Sequence, residues 1–85
     1  METAMNDKSQ AALLRNSVSQ SIEKYLVQVG ESPVNNLYDL VLGEIEEPLL
    51  RAVLSHTKFN QSRAANVLGL SRGTLRKKLK QYGIL

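Results

Sequence analysis

The sequence predicts an all-α protein of four helices, and three observations carry that prediction. Apolar residues recur at three- and four-residue spacing over most of the chain, the period of a helix with one buried face. Gly30 and Gly69 fall just after two of these runs, where a helix C-terminus calls for a left-handed residue. Gly69 to Ser71 is then a connection of about three residues between two helical runs, the length of a helix-turn-helix turn. The expected architecture is a two-helix dimerisation half with a kinked long helix, followed by a C-terminal helix-turn-helix. Residues 1–12 form a flexible arm, 13–57 the dimerisation helices and 58–85 the helix-turn-helix region, with its motif at 61–80, in one folded domain overall.

Eighty-five residues lie close to the size where a single core is only just sufficient. With 42% apolar residues, one Phe and no Trp, that core is built from Leu, Val, Ile and Ala, and oligomerisation would help it. There is no cysteine, hence no disulfide and no thiolate metal site, which fits a reducing cytoplasm. No apolar run approaches a membrane span, and Met1 to Gln10 lacks the apolar centre of a signal peptide. The expectation is a cytoplasmic protein with no membrane partner.

Met1 to Gln10 is polar and aperiodic. From there Leu14, Val18, Ile22, Tyr25, Leu26 and Val29 mark an amphipathic helix over Leu13 to Val29, closed by Gly30. Pro33 disfavours helix at Ser32. The second helix opens at Asn35 or Asn36, with Asp39 in a first turn that favours negative charge. Its apolar positions are Leu37, Leu40, Val41, Ile45, Leu49, Leu50, Val53 and Leu54. Running to Thr57 it would span about 31 Å, and Tyr38 and Leu42 add apolar surface off the main stripe. One copy offers little to bury both sides, whereas a second copy crossing at the middle would. Pro48 removes one helical hydrogen bond and presses on the carbonyl of Glu44. Because the apolar spacing runs through it unbroken, a kink is expected there; the alternative is two short helices.

In the motif, Ala64, Ala65 and Leu68 give the third helix a small apolar face. Gly69 stops it, and Ser71 is placed to cap the fourth. On that last helix Leu75, Leu79 and Tyr82 form an inward stripe, and Phe59, Leu68, Leu75 and Leu79 are expected to pack the motif against the preceding helix. Outward lie Gly73, Lys77, Lys80 and Gln81, flanked by Thr74, Arg76 and Lys78, with Arg72 projecting at the entry end. Glycine at an exposed helical position costs roughly 1 kcal/mol relative to alanine, and its bare backbone would let the helix approach a groove closely.

Charge divides the chain. Residues 1–57 carry eight acids and four bases, whereas residues 58–85 carry seven bases and no acid. Lysines on a helix usually make only a solvated face, but seven cations without one acid suit a surface turned toward a polyanion. A basic helix of about 11 residues fits the major groove of double-stranded DNA. Arg72 is the candidate for a base edge, because guanidinium bonds guanine bidentately. Thr74, Arg76, Lys77 and Lys80 are candidates for backbone or mixed contacts, and Asn60, Gln61 and Ser62, at the start of the preceding helix, for phosphate. With so few base-reading residues, sequence preference should be loose and lean on DNA shape.

The run NQSRAANVLGLSRGTLRKKLKQYGIL, Asn60 to Leu85, resembles the C-terminus of the Fis family of bacterial nucleoid-associated DNA-binding proteins. NNLYDLVLGEIEEPLLRAVLSHT, Asn35 to Thr57, resembles that family's long second helix with its internal proline. The resemblance covers roughly Leu13 to Leu85. It implies an intertwined homodimer whose paired recognition helices bend DNA, and a nucleoid-associated transcription regulator. The positions matching the family's DNA contacts are Asn60, Gln61, Ser62, Ser71, Arg72, Thr74, Arg76, Lys77 and Lys80. Ser71 stands where well-known members have asparagine, and Gln81 where lysine is common. The segment before Leu13 lacks the alternating pattern of the family's mobile hairpin arm, so stimulation of DNA invertases is not expected. The turn Lys58 to Gln61 matches the one through which some members touch RNA polymerase. The ending also occurs in larger enhancer-binding activators, so a detached module of that type is an alternative.

Other classes fit less well. His56, the single histidine, has Ser55 and Thr57 beside it, and adjacent helical residues point apart instead of forming a triad. Glu44, Glu46 and Glu47 lack histidine or aspartate at metal-ligand spacing. No phosphate loop or nucleotide fingerprint is present, so no enzyme, cofactor or small-molecule substrate is expected. A dimeric adaptor for an acidic protein is the competing non-enzymatic reading. RNA is a weaker one, because the basic stretch has no exposed aromatics for stacking.

Overall fold

The computed structural model describes residues 8–85, which form four helices in chain order: α1 (Lys8–Val29), α2 (Leu37–His56), α3 (Gln61–Leu68) and α4 (Arg72–Gln81). Residues 1–7 of the expected arm lie outside the described residues. The described residues divide into two compact units, one ending at Asn35 and the other running from Asn36 to Leu85. Within the second unit α2 packs with the helix-turn-helix, as the sequence leads one to expect.

In the first unit, α1 begins at Lys8, earlier than the Leu13 expected from periodicity. Ser9 to Ala12 carry no apolar stripe, but Gln10, Ala11 and Ala12 are good helix formers, and propensity extends the helix beyond its periodic part. Gly30 ends α1 in the left-handed region at φ 64, its N–H donating to the carbonyls of Leu26 and Val27 at 3.2 and 3.1 Å.

In the second unit, α2 is one continuous helix through Pro48, so the two-helix alternative does not hold. Asn36 precedes it as expected, but in the left-handed conformation (φ 59) and without a side-chain cap bond. A capping side chain needs extended backbone beneath it. The core is formed by Leu50 and Leu54 of α2, Ala64 and Ala65 of α3, and Leu75 and Leu79 of α4, with Val53, Leu68, Tyr82 and Ile84 packed around them. The two alanines, 0% and 3% exposed, leave room for the leucines of the flanking helices to close over α3. Toward its N-terminus α2 is different: Tyr38, Leu40, Leu42 and Ile45 are exposed, as is Leu49 past its middle.

Three turns in this unit share one design. After α2, α3 and α4, a left-handed residue (Lys58, Gly69, Gly83) lets two successive N–H groups reach back to the last helical carbonyls. The first of these lacks glycine. Lys58 and Phe59 sit at φ 56 and 62, held by Phe59 N–H to the Leu54 carbonyl (2.7 Å), Lys58 N–H to Ser55 (3.1 Å) and Asn60 N–H to Thr57 (3.1 Å). The buried Thr57 hydroxyl adds a bond to the Leu54 carbonyl at 3.2 Å. This geometry turns Phe59 outward, 70% exposed. Its expected place in the core is thus corrected: Leu50 and Leu54 fill it, and the backbone of the turn carries Phe59 away.

Candidate nucleic-acid interface

The entry ends of α3 and α4 are built alike. Asn60 has extended backbone, and its side-chain oxygen accepts from the Arg63 N–H at 3.1 Å. One of the four orphan amides of α3 is thereby satisfied, leaving the Asn60 amide hydrogens as its outward donors. Gln61 is half-buried and Ser62 exposed. Between the helices, Gly69 at φ 74 reverses the chain, and Leu70 N–H bonds the Ala65 carbonyl at 2.9 Å.

Ser71 caps α4 as expected. Its hydroxyl accepts from the Thr74 N–H at 3.1 Å and donates to the Thr74 hydroxyl oxygen at 2.9 Å. With its oxygen thus occupied, the Thr74 hydroxyl has its own hydrogen free to donate outward. Arg72, Gly73, Thr74, Arg76, Lys77, Lys80 and Gln81 are exposed, while Leu75 and Leu79 are 0% and 1% exposed. The helix therefore separates an apolar buried face from a cationic open one. A Cβ built on Gly73 would meet no atom within 4 Å, so packing within the chain does not require glycine there.

Lys78 is the exception among the α4 cations. Its Nζ lies 2.7 Å from Oε2 of Glu46 on α2, and the Tyr82 hydroxyl donates to the other oxygen, Oε1, at 2.5 Å. These partners, Lys78 first and then Tyr82, hold the Glu46 carboxyl below its usual range. The same carboxylate pushes the Tyr82 phenol up to about 12, because ionising it would forfeit the hydrogen bond it donates to Glu46 and set two anions side by side. Thirty-six residues separate Tyr82 from Glu46, and no local signal announces the pair. Arg63, exposed in the first turn of α3, is a further cation of the helix-turn-helix. Its charge was visible in the sequence, but it lies outside the family-matched positions.

A three-helix unit presenting a capped, cation-lined last helix beyond a glycine turn defines a helix-turn-helix protein. A model of the bacterial regulatory proteins of the Fis family matches residues 41–82. The DNA-binding protein Fis of Aliivibrio fischeri (strain MJ11) is 55% identical over 71 residues, 84% of this chain and 72% of the relative. The protein of the same name from Haemophilus influenzae (strain PittEE) is 50% identical over 84 residues, 96% of this chain and 85% of the relative. That of Proteus mirabilis (strain HI4320) is 54% identical over 71 residues, again 84% and 72%. The chain belongs to the Fis family. No helix among the described residues is long and apolar enough to cross a membrane.

Proposed function

We propose that this chain is a homodimeric, sequence-tolerant protein that binds and bends double-stranded DNA and acts as a nucleoid-associated transcription regulator in the bacterial cytoplasm. The observation that carries this reading is α4 itself. Its buried face is wholly apolar, its open face bears Arg72, Arg76, Lys77 and Lys80, and no acid occurs from residue 58 to 85. Arg72 reads a base edge; Thr74, Arg76, Lys77 and Lys80, with Asn60, Gln61 and Ser62, hold the backbone, and the Ser71 cap fixes the helix start beneath them. The exposed Gly73 leaves bare backbone where the helix would lie deepest in the groove.

Dimerisation is supported by α2. Tyr38 at 76% exposed, with Leu40, Leu42, Ile45 and Leu49, offers an apolar surface that a second copy would cover. For RNA polymerase, the resemblance offers the turn Lys58 to Gln61; the outward Phe59 supports a protein contact there, and Phe59→Ala should lower activation in a transcription assay with duplex affinity unchanged.

The test is a gel-shift and circular-permutation assay on a site of about three duplex turns. Arg72→Ala should cost about 1 to 3 kcal/mol and relax sequence preference, whereas Lys77→Ala should weaken all sequences alike. Equal binding by both variants and the parent would refute the site. Duplex binding that is feeble at every salt concentration would instead favour the adaptor.

A further inference from the structure

We propose that Glu46 is a positioning residue that competes with DNA for one cation of α4, drawing Lys78 back onto α2 while the other bases face outward. This rests on the duplex-binding reading above. One carboxylate makes both contacts: the Lys78 ammonium at 2.7 Å on one oxygen and the Tyr82 hydroxyl on the other. Both partners lie on the C-terminal part of α4 or its cap, one turn apart, so Glu46 grips the helix at two points. The side chains of Lys78 and Glu46 are only 30% and 29% exposed, well below the 54% and 40% of the surface pair Arg51 and Glu47. Shielding from water strengthens an ion pair and lessens its screening by salt. Lys78 therefore does not count among the cations that release counterions from a duplex.

The salt dependence of duplex binding reads this count directly, because log K falls against log salt with a slope of about −0.9 for each phosphate neutralised. Anisotropy titrations of the full chain on a random-sequence duplex, over a salt series, supply the slope. Glu46→Gln keeps an acceptor for Tyr82 but releases Lys78, and should steepen the slope by about 0.9 for each α4 engaged. Glu44→Gln removes the same charge from an exposed position on the same helix and should leave the slope unchanged. The double variant Glu46→Gln, Lys78→Gln should return to the parent slope.

Lys78→Gln alone should match the parent, while Lys77→Gln should lose about 0.9 per helix. An unchanged slope in Glu46→Gln, or a loss in Lys78→Gln equal to that in Lys77→Gln, overturns the proposal. Circular dichroism establishes that each variant is helical. If Glu46→Gln does not fold, the comparison of Lys78→Gln with Lys77→Gln decides. Failure of the parent to bind duplex at all would sink the functional reading instead.

Discussion

Lys58→Gly should stabilise the protein, although it deletes a side chain. Lys58 occupies the left-handed position that closes α2, at φ 56, where an L-residue pays roughly 1 to 2 kcal/mol for the approach of its Cβ to the backbone. Glycine removes that cost but gives up roughly 0.5 to 1 kcal/mol through the greater freedom of the unfolded chain. The Lys58 side chain is exposed and makes no bond that offsets the difference. The net gain is about 0.5 to 1 kcal/mol, or a rise in Tm of about 2 to 8 °C for a domain of this size. The assay is thermal and urea unfolding at one fixed protomer concentration, since association would shift both midpoints. An unchanged urea slope would show that stability, and not denatured-state compactness, has moved.

The mirror experiment is Gly69→Ala. Gly69 has φ 74, and an added Cβ would meet nothing within 4 Å, so its cost of about 1 kcal/mol or more is purely backbone. A Lys58→Gly variant that melts at or below the parent temperature refutes this account of the turn. A neutral Gly69→Ala does the same.

Three further outcomes follow from the packing. Leu75→Ala, at a residue with 0% exposure between α2 and α3, should lose about 2 to 5 kcal/mol in urea unfolding, enough to unfold much of a domain this small. The Glu46 carboxyl is held below its usual range by Lys78 and then Tyr82. Its contribution is therefore present above the unfolded carboxyl pKa and lost as pH falls through the lower folded value. Glu46→Gln should flatten that acid limb of the stability curve. At the other end, Tyr82 is raised to about 12, so its contribution is present below the ordinary phenol value and lost as pH rises through the folded one. Tyr82→Phe should lessen the alkaline loss of stability between about 10 and 12, read from urea unfolding over a pH series.

Most of the second unit was legible because its signals are local. Gly69 and Ser71 each answer a demand of the adjacent helix end, and the spacing of Leu75 and Leu79 against the cations divides α4 into its two faces. The turn at Lys58 and Phe59 was not, since neither residue favours φ above zero; buried bonds from Thr57 and Leu54 impose it. Phe59 was misplaced for that reason: apolarity marked it for the core, and backbone direction decided otherwise. The first turn of α1 was missed because alanine and glutamine form helix without a stripe. The Glu46 contacts were hidden by distance along the chain, which also left Lys78 grouped with cations that face the solvent.

The division of labour along α4 has an evolutionary consequence. Leu75, Leu79, the Ser71 hydroxyl and the Glu46 contacts to Lys78 and Tyr82 fix the helix in place, while the exposed positions at 72, 76, 77 and 80 contribute no burial. Substitutions at those four positions can accumulate without jeopardising the scaffold. On the reading proposed above, a lineage carrying this chain can change the base it reads at position 72 and adjust its grip on the backbone at 76, 77 and 80, one side chain at a time, on an unchanging framework.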